Sequence, residues 1–479
     1  MKTAVWVFLL AATVLRIAWL WDQPVSPDEA YQILCAHRLA PAYLDGPGGT
    51  ASLLALAAPA GLDPLFSARV LWPVLGLLAS VALWGLVKNL YGAAAADLSA
   101  LAVNLLPGFN LASVAVSPTM PALALVASGL LFARQAWLGA RVRWIFAGLA
   151  FGGAVFFRYE AVLVPVGLLV AVLASPKRRA SADLAGAAWS LAAVALALWA
   201  PMRWNAVLEW VPIAGGTLRT ALEFEWLGFP AVALADGTNW FGAAVLLVGM
   251  VFLVSDAQAH NRSRFVLSAS GPLAIWWFYE ALRGTAVPFA ALAATVLVVG
   301  FLCERALEAG GRRFLLPAGL VGAIASVWTV AAANQTRGDW KEIAETFRAA
   351  ARDLPAGEGD SFFIVEDPEA AAVIGAYFGE GQNTFYPPVF VPESPGFANQ
   401  FALWPSYADF IETAAAPDEF FKEQKGVNPF IGRHALFLGR DLPQTIEGAF
   451  AEVTPLRTLR SGGREWTIYL CLDYQTLPL

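Results

Sequence analysis

Two carboxylates, Asp28 and Glu29, stand side by side in "WDQPVSPDEAYQIL", directly after an apolar run. A carboxylate can take a proton, hold a cation or cap a helix. Adjacent residues on a helix do not share a face, so the two should have different work. Ser26 at a cap position and Pro27 in the first turn predict a short helix over about 27–40, which also carries Tyr31. One carboxylate would cap it and the other would turn towards a site. Downstream, "AYLDGPGGTASL" sets Tyr43 and Asp45 ahead of a turn built from Gly46, Pro47, Gly48 and Gly49, which lets backbone approach a ligand closely. A third stretch, "AVFFRYEAVLVP", puts Arg158, Tyr159 and Glu160 in the middle of an apolar segment. Ionisable residues at such a depth are functional by default. The alternative is an Arg158–Glu160 ion pair that staples the turn. Arg16, Arg69, Glu280 and Arg283 fall near the ends of other apolar runs. Arg grips phosphate oxygens bidentately, so Arg158, Arg16 and Arg283 are candidates for a lipid-linked phosphate. Arg69 reads rather as a snorkelling anchor.

The elements that must position these groups are membrane spans. Of the 479 residues, 58% are hydrophobic and 14% are charged, against about 25% charged in soluble domains. That is the composition of a polytopic membrane protein. Apolar runs predict about eleven transmembrane helices, near 3–21, 67–87, 94–113, 118–134, 144–157, 160–175, 184–202, 239–255, 264–281, 285–303 and 314–333. The 144–175 stretch is too long for one helix and barely enough for two, so two short helices should meet at Arg158–Glu160. Lys2, Lys88, Arg134, Arg141, Arg143, Lys177, Arg178, Arg179 and Arg262 fall in one set of loops. The positive-inside rule makes that side, and the N-terminus, cytoplasmic. The outer loop 22–66, the loop 203–238 and the tail from Asn334 then face outward, and Asp28 and Arg158 are expected to share one cavity.

Charge density rises at "NQTRGDWKEIAETFRAAARDL". We therefore divide the chain into a membrane domain, 1–333, and a small extracytoplasmic α/β domain, 334–479. In the latter "SFFIVE", "HALFLG" and "EWTIYLCL" read as strands, and "PEAAAVIGAYF" and "PQTIEGAFAEV" as helices. Cys35, Cys303 and Cys471 form no CxxC pair, and the three His are far apart, so no disulfide framework or zinc site is indicated. A net charge of −6 carries no argument for nucleic acid.

Taken together, an Arg in the first span, "DEAY" at the outer face, "YLDGP", "SPTMP" and the "FRYEAVLVP" break resemble the GT-C fold glycosyltransferases. The family 39-like group is nearest: bacterial relatives of protein O-mannosyltransferases and of the lipid A aminoarabinose transferase. "NQFALWP", "GRHALFLGR" and "REWTIYLCLDY" resemble the C-terminal segment of its bacterial members. The resemblance implies a multi-pass protein of the bacterial inner membrane, with its C-terminal domain in the periplasm. It implies transfer of a sugar, with inversion, from a polyprenyl-phosphate carrier to a glycan, lipid or protein acceptor. On it, Asp28 matches the catalytic acid position, Glu29 its acidic neighbour, Asp45 a further acid and Arg158 the cation that holds the donor phosphate; Tyr31, Tyr43, Tyr159 and Glu160 would line the site. A divalent metal, Mg or Mn, on Asp28 or Asp45 would be an alternative way to stabilise the leaving phosphate. Two departures stand out: Thr119 replaces a usual acid in "SPTMP", and "DGPGG" lacks a usual basic residue and second Pro. A flippase of lipid-linked sugars and a catalytically inactive relative serving as an assembly subunit are the rival readings. The chain shows no internal repeat of the kind common in secondary transporters.

Overall fold

The computed structural model describes residues 3–21, 23–57, 64–175, 182–208, 240–258, 260–282, 288–310, 320–324, 326–327, 340–352, 354, 361–378, 387–392, 399–408, 428, 430–461 and 464–475. It divides into two units. One combines Met1–Gln23 with Leu39–Ala333; the other combines Pro24–Arg38 with Asn334–Leu479. The outer loop 22–66 is thus split: its first helix goes with the C-terminal residues, its remainder with the helical unit.

The helical unit follows the apolar runs. Its helices are α1 (Thr3–Leu20), α3 (Gly49–Ala57), α4 (Pro64–Tyr91), α5 (Ala93–Val103), α6 (Pro107–Val114), α7 (Thr119–Trp137), α8 (Arg143–Val155), α9 (Leu163–Ala174), α10 (Ala182–Val207), α11 (Trp240–Ala257), α12 (Asn261–Leu282) and α13 (Pro288–Glu308). Among the described residues five helices are long and apolar enough to cross a membrane, or six if the bent pair α5–α6 counts as one span. This is a multi-pass membrane protein. The expected run 314–333 lies largely outside the described residues. With 78% of its apolar window buried, α13 is central, whereas α1 at 28% is peripheral.

Two local features shape the bundle. Pro107 cannot donate to a preceding helical carbonyl, so α5 stops and α6 restarts with Pro107 in its first turn, at 65° to α5. Small residues elsewhere let backbones close in. The indole of Trp189 lies over Gly148, and that of Trp144 over Gly186, which draws α8 and α10 together.

The second unit is built on a four-stranded mixed sheet. Strand β3 (Ser361–Val365) is parallel to β4 (His434–Gly439); β4 is antiparallel to β6 (Arg464–Tyr474), and β6 to β5 (Phe450–Ser461). Phe362, Ile364, Phe390, Tyr407, Phe430, Phe437, Phe450 and Tyr474 form its aromatic core. The expected helix over "PQTIEGAFAEV" is corrected. Only Gln444–Glu447 is helical, and from Phe450 onward the chain is β5, because Phe450, Glu452 and Val453 find ladder partners in Tyr474, Leu472 and Cys471. As the outer strand, β5 carries Pro455, a register shift at Pro455/Arg457 and Arg460, features that discourage further strand pairing.

The helix that follows the first apolar run, α2 (Pro27–Ala36), belongs to this second unit and packs on the helix Pro368–Phe378, here α14. Leu34 lies over Gly375, whose missing side chain leaves room for it, and the Val25 amide points to the Tyr377 hydroxyl at 3.5 Å.

Candidate active site

In the helical unit the site residues gather where α8 gives way to α9. After Val155 the chain makes two turn residues, then Arg158 adopts an extended conformation (φ −144°, ψ 120°), a 3₁₀ turn covers Tyr159–Val162 and α9 begins. The break lies where Arg158, Tyr159 and Glu160 interrupt the apolar pattern. No Arg158–Glu160 ion pair forms among the described residues, which removes the stapled-turn alternative. The extended backbone at Arg158 and the tight turn after it carry the two side chains apart. Instead Arg158 Nη2 reaches Thr119 Oγ1 at 3.5 Å, a long contact, and its Nε is buried without a hydrogen-bond partner. Thr119 is the first residue of α7 and is buried. Helix N-termini carry partial positive charge, so a guanidinium beside one adds to the positive potential rather than cancelling it. An acid at position 119 would neutralise Arg158; Thr119 leaves its charge available to an anion.

The glycine-rich turn is fastened to the same break. Ala42–Tyr43 and Gly46–Pro47 pair as β1 and β2 of a minimal hairpin, with exposed Asp45 in its turn. Buried Tyr43 accepts the Ala40 amide at 3.1 Å. The Gly49 amide donates to the Phe156 carbonyl at 3.0 Å. A Cβ on Gly49 would lie 2.4 Å from that oxygen, and one on Gly48 2.3 Å from the Ala40 oxygen. These glycines therefore let backbone meet backbone, Gly48 at Ala40 and Gly49 at Phe156, two residues before Arg158. Tyr159, with its hydroxyl facing Asn205 of α10, feels the charges of both Asp45 and Glu160. We expect Gly49→Ala to push the hairpin off Phe156, at a cost of about 1–3 kcal/mol. Thermal unfolding in detergent, set beside donor affinity, measures it; an unchanged transition would mean the turn is not held this way.

Arg16 is placed differently from Arg158. It is buried in α1, with Nη1 donating to Asn104 Oδ1 at 2.9 Å, Nε and Nη2 donating to Asn110 Oδ1 at 3.2 and 2.5 Å, and the ring of Phe109 5.7 Å away. Asn104 and Asn110 flank the α5–α6 bend, and Asn110 continues to Ser326 at 3.1 Å. Arg16 thus clamps the bend. Arg16→Met would leave the buried Asn104 oxygen and the half-buried Asn110 oxygen without their donor, at a cost of about 1–3 kcal/mol for the buried one. The expected result is a lower unfolding temperature with unchanged donor affinity in the protein that remains folded. Arg69 is buried too, and its Nη1 donates to the Gln23 carbonyl at 2.5 Å beyond the end of α1, in place of the expected snorkelling. Arg283 lies outside the described residues.

Asp28, Glu29 and Tyr31 belong to the other unit. Ser26 caps α2; its Oγ accepts the Glu29 amide at 3.4 Å, and Glu29 Oε2 accepts the Ser26 amide at 2.9 Å. This reciprocal capping box buries Glu29 completely. Asp28, one residue earlier, is exposed. Tyr31 is half-buried on the same helix. Neither Asp28 nor Asp45 belongs to a group of three metal-ligating side chains, since no such group exists among the described residues.

Comparison with known proteins bears on this arrangement. A family model described as dolichyl-phosphate-mannose-protein mannosyltransferase matches residues 47–204, the stretch that holds Thr119 and Arg158. No curated protein sequence matches the chain. Among solved structures, ArnT from Cupriavidus metallidurans bound to undecaprenyl phosphate aligns over 100% of both chains, with a TM-score of 0.66 and 14% identity. The chain has the GT-C fold. The apo form of that ArnT gives 0.62 and 13% identity over 98% of both chains. At such identities the likeness concerns the GT-C architecture, and residue roles must come from the site itself.

Proposed function

We propose that this protein is a membrane glycosyltransferase that moves a sugar from a polyprenyl-phosphate carrier to a glycan, lipid or protein acceptor. The observation that carries the reading is Arg158: a guanidinium at a helix break, with no carboxylate partner among the described residues and a buried Nε, next to the N-terminus of α7. Such a group suits a phosphate. The match to an ArnT structure bound to undecaprenyl phosphate, and to a mannosyltransferase family model across this region, supports the same chemistry.

In the reaction the acceptor hydroxyl attacks the sugar carbon, the bond to the carrier phosphate breaks and the configuration inverts. Asp28, exposed on α2, takes the hydroxyl proton. Arg158 stabilises the charge that grows on the departing phosphate. Glu29 acts through the capping box that fixes the first turn of α2. Asp45, Tyr159 and Glu160 line the site, with Tyr43 supporting the hairpin behind Asp45. The protein resides in the bacterial inner membrane with its N-terminus in the cytoplasm and its C-terminal domain in the periplasm.

Release of free polyprenyl phosphate tests the reading. Purified protein is incubated with a polyprenyl-phosphate sugar and an envelope extract as acceptor. A transferase breaks the sugar–phosphate bond, whereas a flippase moves the intact lipid between leaflets.

A further inference from the structure

The first turn of α3 holds hydrogen-bond donors that nothing in the fold accepts from. Gly48 and Gly49 give their amides to the Pro41 and Phe156 carbonyls, at 3.1 and 3.0 Å. Ser52 gives both its amide and its hydroxyl to the Gly48 carbonyl, at 3.0 and 2.9 Å. Thr50 and Ala51 stand between them. Amides in the first turn of a helix have no intrahelical acceptor, and among the described residues these two find no other. Thr50 is 1% exposed and Ala51 0%, so bulk water does not cover them. The Thr50 hydroxyl is also buried without a hydrogen-bond partner. A helical threonine ordinarily returns its hydroxyl to the carbonyl three or four residues back. For Thr50 those carbonyls belong to Pro47 and Gly46, the two residues of β2, outside the helix. Buried backbone N–H groups are nearly always paired. Two amides and a hydroxyl left over in one buried turn mark a place built for an acceptor.

The Gly49–Phe156 hydrogen bond holds this turn against the helix break, one residue before Thr50 and two before Arg158, whose Nε is buried and unpartnered too. The chemistry of the leftover groups selects the ligand. Both sides of the contact offer donors. A sugar hydroxyl would bring a donor of its own, whereas a phosphodiester brings acceptors only. The positive end of α3 then adds to the field of the guanidinium.

We propose that the first turn of α3 is the second half of the donor-phosphate site, where the Thr50 hydroxyl and the Thr50 and Ala51 amides bind phosphate oxygens alongside Arg158. Gly48 and Gly49, by giving their own amides to carbonyls, fix the orientation in which the next two amides stay open. The inference rests on Arg158 as the phosphate ligand, as proposed above.

The test is binding of undecaprenyl phosphate to the full-length protein in lipid nanodiscs, with undecaprenol as the probe that lacks the phosphate. Thr50→Val keeps the shape and removes the hydroxyl. It should weaken undecaprenyl phosphate about tenfold, the usual loss for a hydrogen bond to a charged group, and leave undecaprenol unchanged. Thr50→Ser should restore affinity to within about twofold. The unfolding temperature of ligand-free Thr50→Val should equal or exceed that of wild type, because a buried hydroxyl without a partner has been removed. Unchanged affinity for undecaprenyl phosphate overturns the proposal and assigns the open donors to a bound water. An equal loss for both lipids, or a loss that comes with a lower unfolding temperature, overturns it as well and makes Thr50 a folding residue. Arg158→Ala, titrated alongside, separates the two levels. If that variant loses the phosphate lipid and Thr50→Val does not, only the role of α3 falls; if Arg158→Ala binds it as wild type does, the phosphate role of Arg158 is itself wrong.

Discussion

Asp28→Asn should lower turnover by about 10²–10⁴-fold, the usual contribution of a general base, while expression and thermal unfolding stay close to wild type. The amide keeps the shape of the carboxylate but cannot accept a proton from the attacking hydroxyl. Folding is spared because the cap of α2 is made by Ser26 and Glu29, whereas Asp28 is exposed. Steady-state transfer by the purified variant, normalised to folded protein, is the measurement. Near-normal turnover would pass the role of base to Asp45 or Glu160.

Arg158→Ala should raise the KM for donor by about 10–100-fold, since hydrogen bonds to a charged group contribute about 1.5–3 kcal/mol. Acceptor KM should change little. Arg158→Lys should keep part of the activity, because the charge survives and the bidentate geometry does not. The stability of Arg158→Ala should be near wild type, as its one side-chain hydrogen bond among the described residues is the long contact to Thr119. For the same reason the double variant Arg158→Ala, Glu160→Gln should bind donor no better than the single one. Recovery of donor affinity in the double variant would mean that the two side chains act as a pair and that Arg158 does not hold the phosphate.

Much of the helical unit can be read from apolar run lengths, and the break at Arg158 from three polar residues inside one run. The capping of α2 is equally local: Ser26, Pro27 and Glu29 occupy the positions that helix starts demand. Long-range pairing is what sequence conceals. Ala30, Ile33 and Leu34 mark a buried face on α2, but nothing near them says that this face meets Gly375, far along the chain. The glycines of "DGPGG" signal close approach without saying to what; the partner is the Phe156 backbone rather than a ligand. Arg158 and Glu160 are near in sequence and complementary in charge, yet the extended residue between helices keeps them unpaired. The start of β5 was hidden by "TIEGAF", whose helix-forming residues yield to the hydrogen bonds offered by β6. Asn104 and Asn110 gave a weak signal, two amides around a proline in an apolar stretch, and they proved to be the partners of Arg16.

The most direct test of the whole account is the pool of lipid-linked sugars in cells whose only copy of the gene carries Asp28→Asn. Mass spectrometry of their lipid extracts should show one polyprenyl-phosphate sugar accumulating relative to wild-type cells, with the same sugar lost from an envelope glycan, lipid or protein. That result would also name the donor. Identical lipid-linked sugar pools and identical envelope sugars in the two strains would contradict the claim that this protein consumes a polyprenyl-phosphate donor.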